Sequence, residues 1–81
     1  MATAANPLEG ARRAAGLSVD DLWMRYFALG GNAEPCEVDG YLSGLSALET
    51  REHNVLVLAL NEAFADLGMN HPVEYRGPPA I

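Results

Sequence analysis

Residues 48–67 read LETREHNVLVLALNEAFADL and are closed by Gly68. The reading of this stretch decides the fold. VLVLAL taken alone would suit a strand, but NEAFADL carries the helical period on with no turn signal before the glycine. A helix over 48–67 is the longer and more consistent reading. At ~1.5 Å per residue its ~20 residues span ~30 Å, enough to cross a small domain. Its start is marked by Ser46-Ala47-Leu48-Glu49, an S-x-x-E capping pattern, with Thr50 as a rival cap. On a helical wheel Leu56, Val57, Ala59, Leu60, Ala63, Phe64 and Leu67 share one broad face, and Thr50, Arg51, Asn54, Asn61 and Glu62 share the other. Leu58 falls on the polar side, with Ala65 at nearly the same angle. Such a leucine packs under the C-terminal tail, packs under residues 7–15, or centres a contact with a second chain. Leu58, Asn54, Asn61 and Ala65 are therefore the candidate protein interface.

Upstream, Leu17-Ser18-Val19-Asp20-Asp21-Leu22 opens a second helix near 19–29. Ser18 and Asp21 form a capping box, and Leu17 and Leu22 are spaced for a hydrophobic staple. Val19, Leu22, Trp23, Tyr26, Phe27 and Leu29 fall within an arc of about 160° and are expected to supply bulk to the core. Asp21 and Arg25 are spaced as an i,i+4 ion pair. Gly30-Gly31 ends the helix, since glycine takes the left-handed C′ conformation without a Cβ penalty.

Glu34-Pro35-Cys36-Glu37 starts a third helix near 35–43, with Pro35 at N1 and an apolar face of Val38, Tyr41, Leu42 and Leu45. Gly40 within it weakens the helix or admits a close neighbour. Asn6-Pro7-Leu8-Glu9 reads as a cap, a first-turn proline and an acid, so a short frayed helix is expected over 7–15, ended by Gly16. After Gly68, Met69-Asn70-His71-Pro72 is a turn, and Val73-Glu74-Tyr75 is extended and expected to dock across the helices. The fold class is mainly α, a three- to four-helix array around a long central helix with an extended C-terminal tail. Residues 1–16 form a flexible segment or short helix, 17–76 a single helical domain, and 77–81 a flexible end.

Composition bounds the function. Eleven acids against five arginines, with no lysine, give a net charge of -6. That charge repels phosphate backbones, and Arg12-Arg13 is the largest basic cluster, which argues against nucleic acid. The skew toward Ala, Gly, Leu and Arg fits a GC-rich genome. One cysteine forms no internal disulfide, no apolar leader is evident, and VLVLAL is far short of the ~20 residues that span a bilayer. A cytoplasmic protein without membrane contact is the expectation.

Chemistry-bearing patterns are sparse. His53 and His71 with Cys36 have no ligand spacing, so no metal is expected. Cys36 sits at a helix start, which favours a thiolate, but Glu34 and Glu37 beside it oppose that effect. No nucleophile elbow, catalytic order of Ser, His and Asp, or phosphate loop occurs, so neither enzymatic activity nor a cofactor is expected.

Phe27-Ala28-Leu29-Gly30-Gly31-Asn32-Ala33 resembles the F-x-L-G-G-x-S motif around the phosphopantetheine serine of peptidyl carrier proteins. The resemblance covers these seven residues. Ala33 stands where the carrier has its serine, so the resemblance implies a carrier-like helical domain with no point of attachment. Helix–GG–helix–turn–helix order also admits a helix-turn-helix regulator, but the candidate recognition helix is the apolar 48–67 stretch, which lacks basic groups for a groove. The expectation that remains is a small acidic interaction or regulatory protein. It would bind another protein, one with a basic surface, or form a homodimer.

Overall fold

A computed structural model describes residues 6–68. Among the described residues there are four helices and no strand: α1 Pro7–Ala14, α2 Val19–Ala28, α3 Pro35–Leu42 and α4 Thr50–Asp66. The mainly helical fold expected from periodicity is what the chain adopts. None of these helices is long and apolar enough to cross a membrane.

Local capping sets the helix starts. The Asn6 side chain accepts from the Leu8 N–H at 2.9 Å, and Pro7 follows at the first helical position. Ser18 and Asp21 satisfy each other's backbone N–H groups at 3.0 and 3.2 Å, completing the capping box at α2. The Glu37 carboxylate accepts from the Glu34 N–H at 3.0 Å and closes the start of α3. For α4 the cap is Glu49, so the helix begins at Thr50, three residues later than the S-x-x-E pattern suggests. Ser46 is held elsewhere: its N–H donates to the Gly40 carbonyl at 3.2 Å, continuing the turn that leaves α3. A Cβ on Gly40 would meet the Ser46 Oγ at 2.7 Å, which is the close approach the glycine permits.

α4 is the element on which α1 and α2 both pack, and α3 packs between α1 and α2. Its Leu56, Val57, Ala59, Leu60, Ala63 and Phe64 are buried, with the small Ala59 and Ala63 allowing close approach of neighbouring backbone. Leu22 and Tyr26 of α2, Val38, Tyr41 and Leu42 of α3, and Leu8 of α1 complete one continuous core. α1 is thus part of that core, anchored through Leu8 and Ala15, and its backbone is tied to α3 where the Asn6 N–H donates to the Leu42 carbonyl at 3.2 Å.

Several side chains depart from the wheel projections. Phe27 is 58% exposed, although it falls within the arc assigned to the core. It sits at the edge of that arc, and α2 buries only the narrower side centred on Leu22 and Tyr26. Leu45 and Leu67 are also exposed because each lies just past the end of its helix, where the wheel no longer applies. Asn54, projected onto the polar back of α4, is 5% exposed. Packing on more than one side of α4 narrows its solvent face, and Asn54 falls outside it. Arg25 reaches Asp66 of α4 at 2.9 Å rather than its i,i+4 neighbour Asp21, which is engaged in capping. The expected docking of Val73 and Tyr75, and His71, lie outside the described residues.

Candidate interaction surface

Two features of the α2–α4 pair distinguish this molecule from a simple helical array. One is a carboxylate that faces inward. The other is an apolar strip that faces outward.

The inward carboxylate is Glu52, in the first turns of α4 and 9% exposed. A charge so placed is costly unless it is paired and hydrogen-bonded. Its Oε1 accepts from the Tyr26 hydroxyl at 2.5 Å and from the Asn32 N–H at 2.9 Å, and its Oε2 accepts from Arg51 Nη1 at 2.6 Å. Burial acts to raise the Glu52 pKa, but the Asn32 N–H, the Tyr26 hydroxyl and the Arg51 guanidinium together outweigh it and hold the carboxyl below its ordinary value. The Tyr26 hydroxyl is pushed up to about 12, first by burial and then by the Glu52 carboxylate that needs its proton.

This node fastens the loop between α2 and α3. The Tyr26 hydroxyl also accepts from the Ala33 N–H at 2.7 Å, and Arg51 Nη2 donates to the Gly30 carbonyl at 3.0 Å. Gly30, at φ +96°, takes the left-handed conformation that stops α2. Gly31 has a different reason to be glycine: a Cβ there would lie 2.2–2.4 Å from carbons of the Tyr26 ring. The loop backbone is laid directly on that ring, and only a residue without a side chain fits.

The same loop anchors the outward strip. Trp23 Nε1–H donates to the Ala33 carbonyl at 2.9 Å, which fixes the indole at the junction of α2 and α3. Phe27 stacks on Trp23, with ring centroids 5.0 Å apart and planes at 18°. Met24, three residues before Phe27 and hence beside it on the helix surface, is 61% exposed. Trp23, Met24 and Phe27 form a continuous apolar strip facing solvent. Asp20 lies at its N-terminal end and Asp21 along one edge, both exposed. On the indole side, the carbonyl that Trp23 holds belongs to the residue preceding Glu34, which is exposed.

The interface residues read from the sequence do not act as one group. Leu58 is 42% exposed on the solvent face of α4, so α1 does not cover it, and Ala65 is exposed one heptad on. Asn61 is half-buried, and Asn54 is within the fold. Sequence reasoning missed Met24 and assigned Phe27 and Trp23 to the interior. The available signal was angular: Phe27 and Met24 both project away from Leu22 and Tyr26.

The chemistry-bearing residues are dispersed. Cys36 is exposed. His53 is half-buried and hydrogen-bonded through Nδ1 to the Tyr41 hydroxyl, with the rings edge-on. Among the described residues no group of three His, Cys, Asp or Glu side chains gathers in a way that could hold a metal ion. A shallow cavity of about 440 Å³ lies between the loop and the start of α4, lined by Asn32, Ala33, Glu37, Leu48, Glu49 and Glu52 among others. Its innermost carboxylate, Glu52, is already committed to the loop.

Ala33, at the position of the carrier serine, is buried, and both of its backbone polar groups are taken up by side chains of α2. Comparison with known protein families, with characterised proteins and with solved structures gives no match to this chain.

Proposed function

We propose that this chain is a small acidic, non-enzymatic interaction domain that acts in the cytoplasm by binding another protein. The observation that carries the reading is the outward strip of α2. A helix of ten residues leaves Met24 and Phe27 mostly exposed beside a partly buried Trp23 that packs against the core, and neither Met24 nor Phe27 belongs to that core. Contiguous exposed apolar surface opposes solubility, and aromatic side chains held rigid at a surface are the usual anchors of protein contacts. Leu58 on α4 is a second exposed apolar position and the candidate for an additional contact.

The test is recovery of partners from the native host with immobilised wild type and with a Met24→Ser/Phe27→Ser variant. The expected outcome is a protein retained by the wild type and lost by the variant, both having the same helical circular dichroism. Recovery of an identical set by both would refute the assignment of function to this strip.

The carrier-like alternative draws less support. A prosthetic arm needs an exposed nucleophile, whereas position 33 is enclosed. An unchanged intact mass for an Ala33→Ser variant incubated with a phosphopantetheinyl transferase and coenzyme A is the expected result, and modification would revive that reading. A helix-turn-helix role is opposed by the charge of -6 and by the burial of the broad apolar face of α4.

A further inference from the structure

We infer that the partner seated on the α2 strip is a cationic amphipathic segment, one that presents apolar side chains flanked by Lys or Arg, rather than a second copy of this chain. This rests on the interaction reading above and specifies the chemistry of the occupant.

The inference comes from where the unpaired charge lies. All four described arginines are engaged with acids: Arg12 and Arg13 with Glu9, Arg25 with Asp66, and Arg51 with Glu52. Arg25 is the one that borders α2's exposed side, and it is drawn away from the strip toward α4. Asp20 and Asp21 beside the strip, and Glu34 next to the Ala33 carbonyl that holds the indole, make no ion pair among the described residues, and all three are exposed. Among the described residues the strip is thus an apolar centre with an anionic rim and no unpaired cation beside it.

That arrangement discriminates between occupants. A symmetric dimer is isologous and places the same patch on both subunits. Joining two copies through this strip would bring each anionic rim against its twin, and like charges juxtaposed at an interface cost several kcal/mol. A basic amphipathic segment reverses the sign of every one of those contacts. Its apolar side chains cover Met24, Phe27 and the open face of Trp23, and its cations meet the rim. This is the geometry in which a short helix lays its apolar face on a protein surface, with charge setting orientation and on-rate.

The sole tryptophan lies in the strip and serves as the reporter. The full chain is titrated with three Trp-free synthetic peptides of about five helical turns: a Lys/Leu amphipathic sequence, a Glu/Leu sequence of the same pattern, and a Lys/Ser sequence that carries charge without an apolar face. The Lys/Leu peptide is expected to shift Trp23 emission to the blue and to bind at least tenfold more tightly than either control. Raising ionic strength from about 0.1 M to about 1 M, which shortens the screening length from ~10 Å to ~3 Å, should weaken it severalfold. Met24→Ser/Phe27→Ser should reduce affinity about tenfold or more, and Asp20→Asn/Glu34→Gln should flatten the salt dependence.

Equal binding of the Glu/Leu peptide would overturn the cationic partner while leaving an apolar interaction surface intact. Binding of Lys/Leu that is indifferent to Met24→Ser/Phe27→Ser would show attraction to net charge alone and overturn the docking site. A dimer seen by light scattering that Met24→Ser/Phe27→Ser dissolves would replace the basic segment with a second copy. Failure of all three peptides, with no strip-dependent partner recovered from the host, would remove the interaction reading itself.

Discussion

Tyr26→Phe isolates the node that joins the fold to the surface. The substitution keeps the ring on which Gly31 rests and removes one oxygen. That oxygen donates to the Glu52 carboxylate at 2.5 Å and accepts from the Ala33 N–H at 2.7 Å. Losing a hydrogen bond to a charged acceptor costs about 1.5–3 kcal/mol, and a buried N–H left unsatisfied costs about 1–3 kcal/mol. The two overlap, since the loop can relax enough to hydrate one of them, so the expected loss is roughly 2–4 kcal/mol. A domain of this size has a total stability of only roughly 3–9 kcal/mol, so the variant forfeits about half.

Urea denaturation reads this directly. With a slope near ~1 kcal/mol/M, the midpoint should fall by roughly 2–4 M relative to wild type. Circular dichroism follows the helices and Trp23 fluorescence follows the loop, because the indole is bonded to the Ala33 carbonyl. A second background, Glu52→Gln, tests the cause. It retains an acceptor for Asn32 but loses the charge, so Tyr26→Phe should cost about 1 kcal/mol less there than in wild type. A midpoint shift below about 0.5 M, or equal costs in the two backgrounds, would show that the node contributes shape and little energy.

Gly31→Ala forces a methyl group to within 2.2–2.4 Å of the Tyr26 ring and should destabilise by about 3 kcal/mol or more, measured by the same denaturation; a cost under about 1 kcal/mol would show that the loop lifts away freely. Because the Glu52 carboxyl is held below its ordinary value in the folded chain, it contributes stability that is present above the unfolded pKa and lost as pH falls through the folded one. Glu52→Gln should therefore flatten the acid limb of a stability–pH curve, and an unchanged limb would refute the assignment. Tyr26 titrates at about 12 when folded against 10.0 for a free tyrosine, so its contribution is complete below pH 10 and lost as pH climbs toward 12; Tyr26→Phe should abolish that alkaline slope. Leu58→Asp, at a position 42% exposed, should leave the chain folded with a loss of no more than about 1 kcal/mol, whereas global unfolding in circular dichroism would mark Leu58 as core.

The helices were legible because their signals are local. Asn6 with Pro7, Ser18 with Asp21, and the glycines at 16, 30, 44 and 68 act within one turn of the residues they terminate or begin. The core face of α4 was equally legible, since Leu56, Leu60 and Ala63 repeat at a spacing no strand would bury on one side. What the pattern could not resolve was the width of each buried face. That width is set by how many helices pack on an element and at what angle, which is tertiary information. α4 is contacted by α1 and α2, and by α3 through the Tyr41–His53 hydrogen bond, and buries Asn54; α2 packs on α3 and α4 through the side centred on Leu22 and Tyr26 and releases Phe27. Glu52 was opaque for a related reason. Its partners Tyr26 and Asn32 lie 26 and 20 residues away, and a glutamate in a helix's first turn is ordinarily a surface residue.

The glycine pair shows how a short motif acquires meaning from its surroundings. In Phe27–Ala33 the likeness to a carrier rests on an aromatic, a leucine and two glycines ahead of a reactive position. Here each of those residues has a local cause. Gly30 stops α2, Gly31 yields its side-chain space to Tyr26, and Phe27 stacks on a tryptophan pinned to Ala33. The position that would carry chemistry is the one from which the fold hangs: Ala33 receives Tyr26 on its N–H and Trp23 on its carbonyl. The loop that could have presented a nucleophile instead holds an indole in place. The buried carboxylate at Glu52, acting through Tyr26 and the Ala33 peptide, holds Trp23 in place, and under the proposed interaction that rigidity would reduce the entropy lost on covering it.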